Sequence, residues 1–493
     1  MENPKPPPLD RPGNKTIIAL LWSFLERIGQ DLMQFVVTII LARLLAPAEF
    51  GMIAMLAIFM AVAQSLIDSG FGSALIQKQD AGYVAECSIF YFNILVGIIA
   101  AGLLCLVAPR IASFYDTLIL VPLTRALSLN LVINAFALIQ TSLLTKHIDF
   151  KTQLKVSLLA MFFSGTLGIF MAYHGFGVWS LVAQSLSQNF FRTCLLWFFV
   201  SWRPSWAFSF SSLRTLFAFG SNLLFSGLLE TVFQNIYLVI IGKFFSSADL
   251  GFYARAKGLQ QLPTHNIAGS VSRVAYPVFS SRQEDKKRLK VGVRKALSFM
   301  AMVNFPIMIG LAVVAEPLVR VLLTDKWLPC VPYLQLLCVA DILYPLHAIN
   351  LNVLSAQGRS DLYLKLEVAK KILIVLAIAL TYRWGISTMI IGQIVTSFIA
   401  YYLNSYYTSK LLDYSITQQM KDIMPFLLIS CIMGGAVYGL KHLQISSDYI
   451  LLITQIILGI LFYIGLCFLL RISAFLEIMG MIKSRLPAAK RNI

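Results

Sequence analysis

The sequence predicts an all-α integral membrane protein of about fourteen transmembrane helices: two parallel six-helix repeats around a central cavity, followed by two C-terminal helices. Three observations carry this. Of 493 residues, 58% are hydrophobic and 13% charged, with a mean hydropathy of +0.76, whereas soluble domains carry about 25% charged residues. Apolar runs near twenty residues, the length that crosses a bilayer, recur along the chain. Basic residues are dense in every second break between them.

The first fifteen residues, MENPKPPPLDRPGNK, are polar and proline-rich. They read as a disordered cytoplasmic tail with no signal-peptide pattern. Six spans follow at 17–41, 50–67, 86–107, 118–141, 153–173 and 177–200. After a break containing Arg203 and Pro204 come 213–241, a weak stretch at 251–279, then 294–315, 329–354, 362–382 and 384–407. The last two spans are 423–440 and 449–470, before a cytoplasmic tail at 471–493. The expected units are therefore an N-lobe over 16–212, a C-lobe over 213–422 and a terminal pair over 423–470.

Charge tests this count. With the N-terminus cytoplasmic, the inner segments hold 27 Lys/Arg and the outer loops 7, the bias that orients membrane proteins. Arg359, Lys365, Lys370 and Lys371 are counted with the inner residues. Six cations fall outside both the inner and the outer count and are assigned to the spans: Arg27, Arg125, Arg192, Arg255, Lys257 and Arg273. Removing 251–279 would put every later basic loop on the wrong side, so this stretch must cross. Both termini are then cytoplasmic. The net charge of +17 follows from cytoplasmic loops and calls for no nucleic acid. The seven cysteines form no CxxC pair and read as small buried hydrophobes. Neither a metal site nor a cofactor is expected.

The chain repeats itself. ARLLAPAEFG (42–51) matches GKFFSSADLG (242–251) at an offset of 200, and GVWSLVAQ from Gly177 resembles GISTMIIGQ from Gly385. Six spans separate the copies, an even number, so both halves have one orientation. Span seven then corresponds to span one, and span eight (251–279) to span two.

Several spans are too polar for lipid. In span one, Ser23, Glu26, Arg27, Gln30, Asp31, Gln34 and Thr38 fall within an arc of about 140° at 100° per residue. Arg27 and Asp31 lie four apart and can pair. The arc is either an interhelical seam or a wall of the cavity. Its counterpart in span seven carries Ser221, Asn222, Ser226, Glu230, Thr231, Gln234 and Asn235. Span eight carries Arg255, Lys257 and Arg273, with Gln260, Gln261 and His265 between them and no acid. Its outer and inner cations are about 27 Å apart at 1.5 Å per residue. A central Lys or Arg costs roughly 2.5–3.5 kcal/mol on insertion scales. The expected substrate-binding cations of a positive, hydrated cavity are therefore Arg27, Arg125, Arg255, Lys257 and Arg273; snorkelling toward the interface is the competing reading. Candidate ion-coupling acids are Asp31, Glu230, Glu26, Asp68 and Asp341, each also able to serve as a structural partner of a cation. No HExxH, GxSxG, Walker A or GxGxxG motif is present, so no enzyme chemistry is expected.

One set of motifs carries a family resemblance: LARLLAPAEFG (41–51), DSGFGSALIQ (68–77), HIDFK (147–151), GFYARAKGLQQLP (251–263), VAYPVFSSRQED (274–285), FPIMIGLAVVAEPLVRVLL (305–323) and KWLPCVPYLQLLCVADIL (326–343). Together they resemble the Wzx-type polysaccharide flippases of the multidrug/oligosaccharidyl-lipid/polysaccharide superfamily, in the colanic-acid and teichuronic-acid exporter branch. The resemblance implies a V-shaped, two-lobed transporter in a bacterial inner membrane. Its implied cargo is an undecaprenyl-diphosphate-linked oligosaccharide, and its candidate partners are a polysaccharide polymerase and a chain-length regulator. It supplies no site residue. A drug antiporter would share the fold but should have an acidic or aromatic cavity. A membrane-embedded polymerase or ligase should present a large outer loop, and the longest here, around Glu316–Lys326, is short.

Overall fold

The structure is a computed structural model describing residues 14–68, 75, 82–443, 447–472, 475–477 and 480. The tails at 1–13 and 481–493, most of the 68–77 motif, and the side chains of Ser23, Ser221, Asn222 and Ser226 lie outside the described residues.

Among the described residues the regular structure is helical. Within lipid a chain must satisfy its own backbone polar groups, and these runs do so along each helix. The first seven helices are α1 (Asn14–Leu44), α2 (Pro47–Asp68), α3 (Tyr83–Phe114), α4 (Leu120–Lys146), α5 (Phe150–Tyr173), α6 (Val178–Phe199) and α7 (Phe210–Phe244). Then come α8 (Ser247–Ser280), α9 (Lys286–Val313), the short α10 (Ala315–Leu323), α11 (Val331–Ala340), α12 (Tyr344–Ala356), α13 (Ser360–Thr381), α14 (Ile386–Leu412), α15 (Ile416–Gly439) and α16 (Asp448–Leu469).

Local chemistry sets the helix starts. Asp149, Asp285 and Ser415 accept from the backbone N–H groups of Thr152, Arg288 and Gln418 at 3.1, 3.0 and 3.2 Å, satisfying donors that a helix start leaves open. Gly177 and Gly385, ahead of α6 and α14, take φ of +55° and +99°, a region where a side chain is strained. These are the two glycines that open the matching GVWSLVAQ and GISTMIIGQ segments.

Among the described residues, ten helical stretches are long and apolar enough to cross a membrane. They lie in α2, α3, α4, α5, α7, α9, α14, α15, α16 and Asp325–Ala356, which contains α11 and α12. The weak stretch at 251–279 lies in one helix, α8, which runs through Pro263 and Pro277. Two details differ from the sequence expectation. The tenth run, expected at 329–354 as one span, is broken between Ala340 and Tyr344. The segment around Glu316–Lys326, expected as a short loop, contains a helix, α10.

The chain packs as two compact units, Met1–Gly251 and Phe252–Ile493. In the first, α3 packs on α4, α5 on α6, α1 on α5, α4 on α6, and α2 on α7. Phe90 lies in an aromatic cluster with Tyr91, Phe136, Trp197 and Trp202 at centroid distances of 5.5–6.0 Å. The Trp202 indole N–H donates to Glu86 at 2.8 Å, fastening the break at 201–209 to α3. In the second unit, α9 packs on α15, α11 and α13 on α14, and α15 on α16. Trp327 is fully buried there and meets Phe252 edge-on at 5.9 Å.

Candidate functional site

Four helices of 22–34 residues fall outside the ten apolar stretches: α1, α6, α8 and α13. Each is long enough to span, since about twenty residues suffice. Their polar side chains set them apart, and buried charge in a membrane protein marks a functional site by default. The two units use these side chains differently.

In the first unit, α1, α4, α5 and α6 enclose a polar cavity of about 210 Å³, lined by Glu26, Gln30, Thr141, Gln153, Gln188 and Arg192 together with Ser157 and apolar neighbours. Gln30 donates to Glu26 at 3.2 Å. Gln153, with its amide turned so that both ends are satisfied, donates to Glu26 at 3.2 Å and accepts from the Thr145 hydroxyl at 2.9 Å. Arg192 donates to the Thr141 hydroxyl at 3.4 Å. Its guanidinium is the electrostatic partner of both Glu26 and Asp68. Asp68 accepts from Gln64 at 3.0 Å, and Gln64 in turn accepts from Asn134 at 3.3 Å. One guanidinium therefore serves two carboxylates. A cavity this polar is large enough to hold water, which needs roughly 10–15 Å³ per molecule by the same measure.

The remaining candidates of this unit lie elsewhere. Arg27 and Arg125 are exposed, and Asp31 is half-buried. Gln34 donates to Thr38 at 3.1 Å on α1's own surface. Glu230 is exposed and accepts from Gln234 at 3.1 Å. One turn away, the hydroxyls of Ser65 and Thr231 meet at 3.1 Å, joining α2 to α7.

In the second unit the cations of α8 separate. Arg255 lies over the Trp327 ring, 5.8 Å from its centroid. Lys257 is the electrostatic partner of Asp341, and Gln393 hydrogen-bonds the same carboxylate. Asp341 sits where the tenth run breaks. Asn304 donates to the Ile342 carbonyl at 2.7 Å, satisfying backbone released by that break. Gln260 is fully buried and donates to Thr264 at 3.0 Å, with the Met308 sulfur adjacent. Gln261 is half-buried. His265 stacks on Tyr344, with centroids 4.9 Å apart and planes 13° apart. Arg273 is exposed and donates to the Gly269 carbonyl at 3.3 Å.

Sequence reasoning missed one group. Lys370 and Lys371, counted with the cytoplasmic residues, lie on α13 about ten residues from its start, or about 15 Å along the helix. Their side chains are 15% and 13% exposed and share Glu367, which is 19% exposed. Lys371 lies 3.8 Å from that carboxylate. The spacing of Glu367, Lys370 and Lys371 at i, i+3 and i+4 was the available signal, because it places all three on one helix face. Counting them as anchors concealed it. Arg192 was recognised as an intramembrane cation, but its two acidic partners come from distant helices.

Comparison with known proteins places these features. A family model described as "Polysaccharide biosynthesis protein" matches residues 40–332. The chain is 28% identical over 397 residues to the teichuronic acid biosynthesis protein TuaB of Bacillus subtilis strain 168, covering 78% of this chain and 81% of that protein. It is 25% identical over 399 residues to the lipopolysaccharide biosynthesis protein WzxC of Escherichia coli strain K12, covering 79% and 80%. Its fold is like that of the lipid II flippase MurJ in an inward closed conformation, with a TM-score of 0.73 at 14% identity over 95% of this chain and all of the other.

Proposed function

The chain belongs to the polysaccharide biosynthesis protein family, and from that membership we propose that it turns an undecaprenyl-diphosphate-linked oligosaccharide from the cytoplasmic to the outer leaflet of a bacterial inner membrane. It is a multi-pass membrane transporter and not an enzyme. The names of its relatives, which concern teichuronic acid and lipopolysaccharide biosynthesis, support a surface glycan as cargo.

The observation that carries the reading is the set of four polar helices. We assign α1, α6, α8 and α13 as spans beside the ten apolar stretches, giving fourteen crossings with both termini cytoplasmic. They would supply the hydrated wall that a glycan diphosphate needs while its polyprenyl tail stays in lipid. On the repeat reading, lobes 16–212 and 213–422 alternate access to the two sides, and 423–470 is an added pair. The cations Arg27, Arg125, Arg255, Lys257 and Arg273 draw the anionic head, with Lys257 the strongest because it lies well inside α8. Gln30, Gln34, Gln234, Gln260, Gln261 and His265 complete the polar surface. Among the coupling acids Asp31, Glu230, Glu26, Asp68 and Asp341, the cavity with Glu26 and its partner Asp68 has the best support. Two carboxylates against one guanidinium leave a negative charge that a proton or Na⁺ can neutralise. A polysaccharide polymerase and a chain-length regulator are the partners such a carrier would feed.

The test is the triple variant R27Q/K257Q/R273Q in a strain lacking the native gene. Surface polysaccharide should fall to background at normal membrane abundance. Normal polysaccharide would remove the cationic-cavity reading.

A further inference from the structure

We propose that Tyr344, backed by His265, is the stacking platform for the sugar ring that adjoins the diphosphate of the cargo. The inference rests on the export reading above and adds the group that recognises the sugar rather than the charge.

The platform is a pair of rings at the break in the tenth run. His265 on α8 and Tyr344, the first residue of α12, stack with planes 13° apart and centroids 4.9 Å apart, a spacing at which aromatic rings attract. His265 covers one side of the Tyr344 ring, and 40% of the residue is still exposed. Tyr344 lies twelve residues from the nearer end of the apolar stretch Asp325–Ala356, or about 18 Å along a helix. Tyrosines that anchor a protein in a bilayer sit at its two interfaces, whereas this one is well inside the stretch. A phenol facing hydrocarbon at that depth would carry an unsatisfied hydroxyl.

The face that carries Tyr344 is polar. Along α12 the part-exposed residues are Tyr344, His347, Ala348, Leu351, Asn352 and Ser355, and the positions between them are buried. Their spacing places them on one side of the helix, with Leu351 the one large aliphatic residue. The most exposed side of α13 shows the contrast: Leu364, Val368, Ile372 and Leu376 are 44–62% exposed, a surface made for lipid. On α8, Gln261 lies one turn before His265 and Gly258 two turns before it, on the same side. A Cβ at Gly258 would meet nothing within 4 Å. Room for a ligand and an amide therefore lie beside the rings.

Sugar chemistry fits this arrangement. A pyranose presents C–H bonds on its faces and hydroxyls around its edge. The face packs on an aromatic ring while the edge takes hydrogen bonds from amides, the mix of apolar surface and a few placed polar groups that ligand sites use. Charge stands close by. His347, about 4.5 Å along α12 from Tyr344, is the electrostatic neighbour of Lys370, which shares Glu367 with Lys371. In the cargo a single oxygen joins the first sugar to the diphosphate, so cations and platform must be near neighbours, as this arrangement provides.

The test is competition binding to the full-length chain in lipid nanodiscs. A fluorescent undecaprenyl diphosphate is displaced by undecaprenyl diphosphate or by its derivative bearing one glucose. Wild type should prefer the glucose-bearing lipid about tenfold, which corresponds to 1.4 kcal/mol. Y344L should bring that ratio near one, and Y344F should keep most of it; a ratio is insensitive to the amount of folded protein. An unchanged ratio in Y344L would overturn the platform. If Y344L does not accumulate, H265L decides: the ratio should fall severalfold, and an unchanged ratio overturns the proposal. Wild type that binds both lipids without preference overturns the platform and leaves the export reading standing. Wild type that binds neither lipid rejects the export reading, and the platform with it.

Discussion

The first unit sets one guanidinium in the field of two carboxylates, Glu26 in the cavity wall and Asp68 outside it, while the second unit's polar helices set three ammonium groups against two. Arg192 faces Glu26 and Asp68 in the first; Lys257 with Asp341, and Lys370 and Lys371 with Glu367, lie in the second. The two units carry matching sequence motifs at 42–51 and 242–251, but these described groups differ in charge balance. The difference suggests a division of labour: the first unit is suited to hold a cation, the second to meet an anionic head.

The comparison breaks most visibly at Arg192. Arg192 and Glu26 are half-buried and Asp68 is exposed, so R192Q should cost less than the roughly 3–5 kcal/mol of a fully buried pair, while still lowering thermal stability in detergent and reducing surface polysaccharide. R192Q/E26Q should recover much of that stability, because the pair fails together. If the double variant is no better, Glu26 is not the partner the cavity indicates. A smaller effect is expected in the second unit. K370Q/K371Q leaves Glu367 without its cations and should reduce export by about tenfold, or 1.4 kcal/mol, while K370R/K371R retains most of it. Equal export in both would return these lysines to the role of topology anchors.

Arg255 sharpens the comparison from inside α8. Its place over Trp327 predicts that R255Q costs about 0.5–2 kcal/mol of stability, the range of a cation–π contact, and its proposed part in drawing the anionic head predicts a further loss of export. Export kept in full at reduced stability would remove Arg255 from the head-drawing cations. The smallest effect belongs to the surface around α10, where Lys441 above all, with Arg320, holds the Glu316 carboxyl below the usual carboxylate range. That stabilisation is present above the ordinary carboxylate pKa and is lost as pH falls through the depressed value. At neutral pH, E316Q should therefore cost no more than about 1 kcal/mol, and the gap from wild type should close in acid. A gap that widens in acid would contradict the assignment.

Much of the fold was legible because lipid enforces simple rules. Hydropathy located the ten apolar stretches found among the described residues, and the polar stretch 251–279 is one continuous helix, whose crossing of the membrane is proposed from charge bias. The break at Asp341 was not legible, since Val331–Ala340 and Tyr344–Ala356 read as one apolar run and the turn adds only three residues. The polar arc on α1 was visible from periodicity. Which of its members meet a cavity was not, because Gln153 and Arg192 arrive from α5 and α6. Lys370 and Lys371 were misplaced because they were counted with the inner residues although they lie near the middle of the 362–382 run.

The central claim is that the cations of these polar helices move a lipid-linked glycan. It is tested most directly in vesicles carrying the purified chain and an undecaprenyl-diphosphate-linked oligosaccharide, by following the arrival of the glycan in the opposite leaflet with a sugar-binding probe. Wild type should transfer the glycan, and R192Q and K257Q should not, at equal incorporation. Transfer by both variants at the wild-type rate, or none by wild type, would contradict the account.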